Sequence, residues 1–189
     1  MPRAGNSRFP PIPGSPGNEP HTGSTGRTGS SRSKDGAKMK PGDQIADFEL
    51  ADQHGRPRRL STLLADGPVV LFFYPAAMTS GCTRESCHFR DLASEFEALG
   101  VQRVGISTDP VDKQAQFAEL HGFDYPLLSD STGEVARAFG VKRRFGPLPV
   151  KRRTFVIGMD SRLICEIGSE FDMQTHADTA LRVLAEQPR

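Results

Sequence analysis

Cys82 and Cys87 are the side chains of this 189-residue chain best placed for covalent chemistry. The apolar run Val69-Val70-Leu71-Phe72-Phe73-Tyr74 reads as a buried strand that stops at Pro75. A helical pattern begins at about Cys82, with Phe89, Leu92, Phe96 and Leu99 recurring at helical spacing. Cys82 therefore falls in or near the first turn of a helix that leaves a strand. There the unpaired backbone N–H groups and the helix dipole favour an anion, and so favour the nucleophilic thiolate.

Cys87 lies five residues further on, about 500° around a helix and roughly 7.5 Å along it. That places the two Cα atoms beyond the ~7 Å a disulfide tolerates. On the helical wheel Cys87 points away from the face that Cys82 shares with Phe89, Leu92, Phe96 and Leu99. A bond between the thiols requires the first turns to unwind, so local unfolding becomes part of any chemistry they share. A metal is the other use for Cys82, Cys87 and His88. The Cys-x4-Cys-His spacing lacks a second ligand pair, however, and the two thiols diverge, so no metal is expected, and with no Gly-rich phosphate loop in the sequence no cofactor is expected either. Cys165, within the alternation Leu163-Ile164-Cys165 of an expected strand, reads as a buried structural thiol and as the fallback partner for Cys82.

The elements that must hold these residues can be read in order. Gln53-His54-Gly55 joins two short strands as a hairpin, and Ser61 is positioned to cap a short helix through Leu64. After the strand over 69–74 and the Cys82 helix come a strand over 101–107 and a helix to about His121. For that helix Asp109 is expected as N-cap and Pro110 as first residue, with Gly122 as the stop. A short strand at 127–128, a helix over 131–139, a hairpin turning at 158–161 and a helix over about 174–186 complete the series. This order implies an α/β fold with a central mixed sheet flanked by helices.

Residues 1–38 differ in composition, with six Pro, seven Gly and nine Ser or Thr, and only Phe9 and Ile12 as large apolar residues. Such a segment buries too little apolar surface to offset its chain entropy, so a disordered tail is expected before a folded domain at 39–189. Its formal charge of +4 leaves −3 on that domain. The near-neutral total gives no general case for nucleic acid, and Lys142-Arg143-Arg144 with Lys151-Arg152-Arg153 reads as a solvated rim near the thiolate. No apolar run approaches the ~20 residues of a membrane span, and no signal-peptide stretch opens the sequence, so a reducing, cytoplasmic setting is expected.

Pro75-x-x-x-Thr79-x-x-Cys82 resembles the peroxiredoxin signature. A second Cys five residues later is similar to the bacterioferritin-comigratory, or peroxiredoxin Q, subfamily. Residues 41–50, 125–130 and 152–157 fit the same family in order, so the resemblance spans about residues 39–187. It implies a thioredoxin-like fold with peroxiredoxin additions and a thiol peroxidase acting on hydrogen peroxide and organic hydroperoxides. Cys82 would attack the peroxide and become a sulfenic acid. Cys87 would then resolve it as an intramolecular disulfide, for thioredoxin or a similar dithiol to reduce. Because that pair lies within one chain, a monomer suffices.

Thr79 can orient the peroxide or merely cap the helix, and Pro75 can shield the thiolate or merely end the strand. Glu85 is read in the helix's first turn, where its charge suits the dipole; by the resemblance it would orient an arginine, and otherwise it is a simple surface carboxylate. That arginine is Arg152 by the resemblance, with Arg153 on the opposite face of an extended segment. Ala76-Ala77-Met78 stands where relatives usually carry polar residues, which suggests a preference for organic hydroperoxides. The rival readings are a thiol–disulfide oxidoreductase, for which Cys-x-x-Cys is missing, and a peroxide-sensing or chaperone-like binding protein.

Overall fold

The computed structural model describes residues 38–187, so the expected tail lies, apart from Lys38, outside the described residues. Seven strands form one mixed sheet in the order β2-β1-β5-β4-β3-β6-β7. They are β1 Glu49–Ala51, β2 Pro57–Arg59, β3 Val69–Phe73, β4 Gln102–Ser107, β5 Leu127–Ser129, β6 Arg153–Ile157 and β7 Leu163–Ile167. Six helices lie between and after them: α1 Leu60–Ala65, α2 Ser80–Asp91, α3 Ala93–Ala98, α4 Val111–His121, α5 Glu134–Ala138 and α6 Thr175–Ala185. The expected mixed sheet with flanking helices is the architecture found.

β3 is central because both of its faces are apolar. Val69, Leu71 and Phe73 face a core built with α1 and α5 residues and with Phe139 and Phe155. Val70, Phe72 and Tyr74 face a second core with α2, α3, α4 and α6. Phe72 stacks on Phe89 of α2 with ring centroids 4.2 Å apart and planes 10° apart. Such a pair adds ~1 kcal/mol beyond its buried area and fixes where α2 crosses the sheet.

Three local expectations change. Ser61 lies inside α1 and does not cap it. Instead its N–H and its hydroxyl both donate to the Asp47 carboxylate, each across 2.9 Å, so a residue upstream of β1 supplies the acceptor. Pro110, with φ −67° and ψ 161°, is the N-cap of α4, which leaves Asp109 one position outside the helix. The single helix expected from Cys82 through Leu99 is two, broken at Leu92, whose ψ of 23° departs from helical geometry. The stop at Gly122 forms as expected, in the left-handed conformation with φ 62°. Among the described residues no helix is long and apolar enough to cross a membrane.

Candidate active site

β3 and β6 are antiparallel neighbours, with Phe73 opposite Arg153. The end of β3 therefore lies beside the start of β6, and the loop leaving β3 toward Cys82 emerges next to Arg152. α2 begins at Ser80 with Thr79 as its extended N-cap, which makes Cys82 the third helical residue. Cys82 is 1% exposed, and the Arg152 guanidinium donates through Nη2 to its sulfur across 3.3 Å. Through Nη1 the same guanidinium donates to Glu85 Oε2. Arg153 turns elsewhere, pairing with Glu166 of β7 at 3.2 Å and donating to the Arg152 carbonyl. Of the two arginines, Arg152 is the one in reach of Cys82.

Glu85 is neither in the first turn of α2, which holds no acidic residue, nor on the surface. It is fully buried one turn beyond Cys82. Burial pushes its carboxyl up, to about 8, against the pull of Arg152. Its second oxygen, Oε1, has no hydrogen-bond partner among the described residues and lies 3.8 Å from Nδ1 of His176 on α6. His176 is itself fully buried. Its Nε2 lies 2.9 Å from the Ser169 carbonyl, which only accepts, so Nε2 carries the proton. Nδ1 then accepts from the Thr154 hydroxyl across 2.9 Å. Burial pushes this imidazole's pKa down, toward the neutral form. The buried series is thus the Cys82 sulfur, a guanidinium, a carboxyl group and a neutral imidazole.

The loop between β3 and α2 is held from the side. Pro75 is buried at its start. The Ala77 N–H donates to Asp109 Oδ2 across 2.7 Å, and Asp109 also accepts from the Ser107 hydroxyl at 2.8 Å and from Lys113 at 2.6 Å. Met78 sits at φ 67°, a left-handed conformation that costs an ordinary residue ~1–2 kcal/mol. The exposed Thr79 makes no side-chain cap bond, against one of its two expected roles. Its hydroxyl donates to the Ala76 carbonyl across 2.9 Å, which leaves its oxygen lone pairs free to accept.

Cys82, Cys87 and Cys165 are all free thiols. Cys87 is half-buried beside the buried stripe of α2, which consists of Cys82, Glu85, Ser86 and Phe89. His88 contacts Asp178 of α6 at 2.7 Å. Cys165, opposite Val156 in the sheet, is half-buried, and burial raises its pKa.

Neither His176 nor Asp109 was found as a site residue from sequence. His176 carries no local motif. Asp109 reads in the sequence only as a helix cap, and its spacing from Ser107 is the one local hint of the bond between them.

Residues 41–164 match the AhpC/TSA family. The crystal structure of peroxidoxin BcpB from Mycobacterium tuberculosis is 65% identical and superposes with a TM-score of 0.76, over 79% of this chain and 99% of that one. The chloroplastic peroxiredoxin Q of Sedum lineare is 37% identical over 149 residues, or 78% of this chain and 79% of its own. A Xanthomonas campestris bacterioferritin comigratory protein, solved in work on its alkyl peroxide reduction activity, is 29% identical with a TM-score of 0.67, covering 73% and 90%. The chain belongs to the AhpC/TSA family, the peroxiredoxins, and has their thioredoxin-like fold. It is an antioxidant thiol peroxidase similar to mycobacterial BcpB and to the peroxiredoxin Q proteins.

Proposed function

We propose that Cys82 is the peroxidatic nucleophile and Cys87 its resolving partner, in a catalytic cycle completed by an external dithiol protein such as thioredoxin. The observation that carries this reading is the 3.3 Å contact between Arg152 Nη2 and Cys82 Sγ in the first turn of α2. A guanidinium and a helix N-terminus both favour the thiolate, and both remain in place as charge moves onto the peroxide.

The Cys82 thiolate attacks one peroxide oxygen and the O–O bond breaks. The S–O bond formed leaves Cys82 as sulfenic acid, and the departing oxygen takes a proton to become water or an alcohol. Arg152 stabilises the negative oxygen, and Thr79, with its lone pairs free, accepts from the peroxide O–H. Pro75 contributes no competing donor beside the sulfur. Glu85 acts through Arg152 and holds the guanidinium in place. Once the first turns of α2 unwind, the Cys87 thiol displaces water from the sulfenic acid and a disulfide forms.

Both hydrogen peroxide and organic hydroperoxides fit this chemistry. Met78, 41% exposed at the loop, gives the entrance an apolar lip that favours the organic ones. The parallel is the Xanthomonas campestris relative, whose studied activity is alkyl peroxide reduction. The cycle needs one chain and a reducing compartment, in keeping with a cytoplasmic monomer.

Stopped-flow consumption of peroxide by the reduced protein, followed by intact mass, tests the reading. Fast consumption that Cys82→Ser abolishes, with a mass loss matching one disulfide, is the expected result. In Cys87→Ser one equivalent of peroxide should still oxidise Cys82 without forming a disulfide. Consumption that survives loss of Cys82, or a disulfide to Cys165 at the wild-type rate, overturns it.

A further inference from the structure

Charge is distributed unevenly over this domain. Residues 39–189 carry a formal −3, yet residues 135–159 contain seven Lys or Arg and no Asp or Glu. Five of these cations, Arg137, Lys142, Arg143, Arg144 and Lys151, line a single cleft of about 810 Å³ with Phe145. Among the described residues only Arg143 has a carboxylate partner there, Glu170 at 3.0 Å. Like charges left together without counterions work against the folded state, so their presence calls for an anionic occupant. Exposed apolar side chains share the loop: Phe145 is 90% and Leu148 38% exposed. Lys151, in the cleft wall, immediately precedes Arg152, whose guanidinium touches Cys82.

We propose that this cleft is the docking surface for the reductant, and that the reductant is a dithiol protein with an acidic face. The proposal rests on the peroxidase reading above. A lone carboxylate on a small hydroperoxide would engage one or two of five cations and leave Phe145 and Leu148 in water. A protein face can meet all of them, and arginine with aromatic side chains is the composition of an interface core. The docked partner's thiolate attacks one sulfur of the Cys82–Cys87 disulfide and releases the other. The partner's second thiol then breaks the mixed disulfide. Two electrons and two protons pass to Cys82 and Cys87, and the partner leaves as a disulfide.

The test measures kcat/KM for an acidic thioredoxin kept reduced by its reductase, using wild type, Arg144→Glu and the milder Arg137→Gln/Arg144→Gln. Both positions are exposed and lie outside the catalytic series. Recycling by the uncharged dithiothreitol and single-turnover oxidation by hydrogen peroxide and by an anionic hydroperoxide run in parallel. Because steering between opposite charges acts on association, kcat/KM for thioredoxin should fall about tenfold in Arg144→Glu, and less in the double variant. In wild type it should fall as salt rises, since screening removes the steering. The dithiothreitol and single-turnover rates should not change. An unchanged thioredoxin kcat/KM, a salt-independent wild type, or a loss confined to the anionic hydroperoxide would each overturn the proposal. Failure of the peroxidase reading shows separately, as single-turnover oxidation that does not depend on Cys82.

Discussion

Tyr125 donates its hydroxyl proton to the Ser86 carbonyl across 2.7 Å, fastening α2 at a point between Cys82 and Cys87. Burial pushes this phenol's pKa well up, so it stays a donor throughout the neutral range. A disulfide between the two cysteines requires that stretch of α2 to open, and the bond opposes the opening. A buried hydrogen bond of this kind contributes ~1 kcal/mol, several-fold in an opening equilibrium. Tyr125→Phe should therefore speed disulfide formation several-fold and leave sulfenic acid formation unchanged. Stopped-flow traces that separate the two phases will check it.

Glu85 makes stability depend on pH with a definite sign. Its carboxyl titrates near 4.5 in an unfolded chain and is raised to about 8 in the fold. Between those values the folded state holds a proton that the unfolded state has released. The stabilisation is thus complete below 4.5 and is lost as pH rises through about 8. His176 works in the other direction: its depressed pKa costs stability as pH falls below the ordinary 6.5. Glu85→Gln should remove the decline toward pH 8 and keep the acid-side loss. Urea unfolding midpoints from pH 5 to 9 will show whether it does.

Arg152 joins Glu85 to Cys82 with two nitrogens of one planar group, which a lysine ammonium cannot reproduce. Arg152→Lys should slow single-turnover oxidation by peroxide about a hundredfold, the scale of losing one preorganised donor. Arg153→Gln should leave the same rate within about twofold, since Arg153 is engaged with Glu166. Equal losses in the two variants would reverse the assignment.

Asp109 gives a fourth expectation. Its carboxylate holds the Ala77 N–H, and with it a loop in which Met78 is already strained. Asp109→Ala should lower kcat/KM for peroxide about tenfold through a misplaced Thr79. Asp109→Asn, which keeps one acceptor oxygen, should recover most of that loss. Equal losses would show that the Lys113 pair, not the bond to Ala77, is what matters.

The residues that sequence reading placed and those it missed divide by the range of the forces involved. β3 was legible because six consecutive apolar residues between turn signals have few alternatives. The position of Cys82 followed from the strand ending at Pro75, and the choice of Arg152 followed from a motif. Other features depend on partners distant in the chain. Ser61 looks like a cap until Asp47 is found beside it. Glu85 looks like a surface carboxylate until α6 brings His176 against it. The apolar spacing from Phe89 to Leu99 also runs unbroken across Leu92, because a change of ψ at that single residue, to 23° from the helical value of about −42°, redirects the helix while the apolar stripe continues.

The break at Leu92 bears on the proposed reaction between Cys82 and Cys87. A continuous helix would transmit a change of pitch along its whole length. Here α2 ends at Asp91 and α3 starts afresh at Ala93, while Phe89 stays clamped on Phe72 just before the gap. Rearrangement upstream of Phe89 would have to disturb that stack before it reached α3, which Phe89 also meets through Phe96 at a ring separation of 5.8 Å. The opening that the proposed disulfide needs can thus be confined to the turns between Cys82 and Phe89, with the fold beyond them as its fixed support.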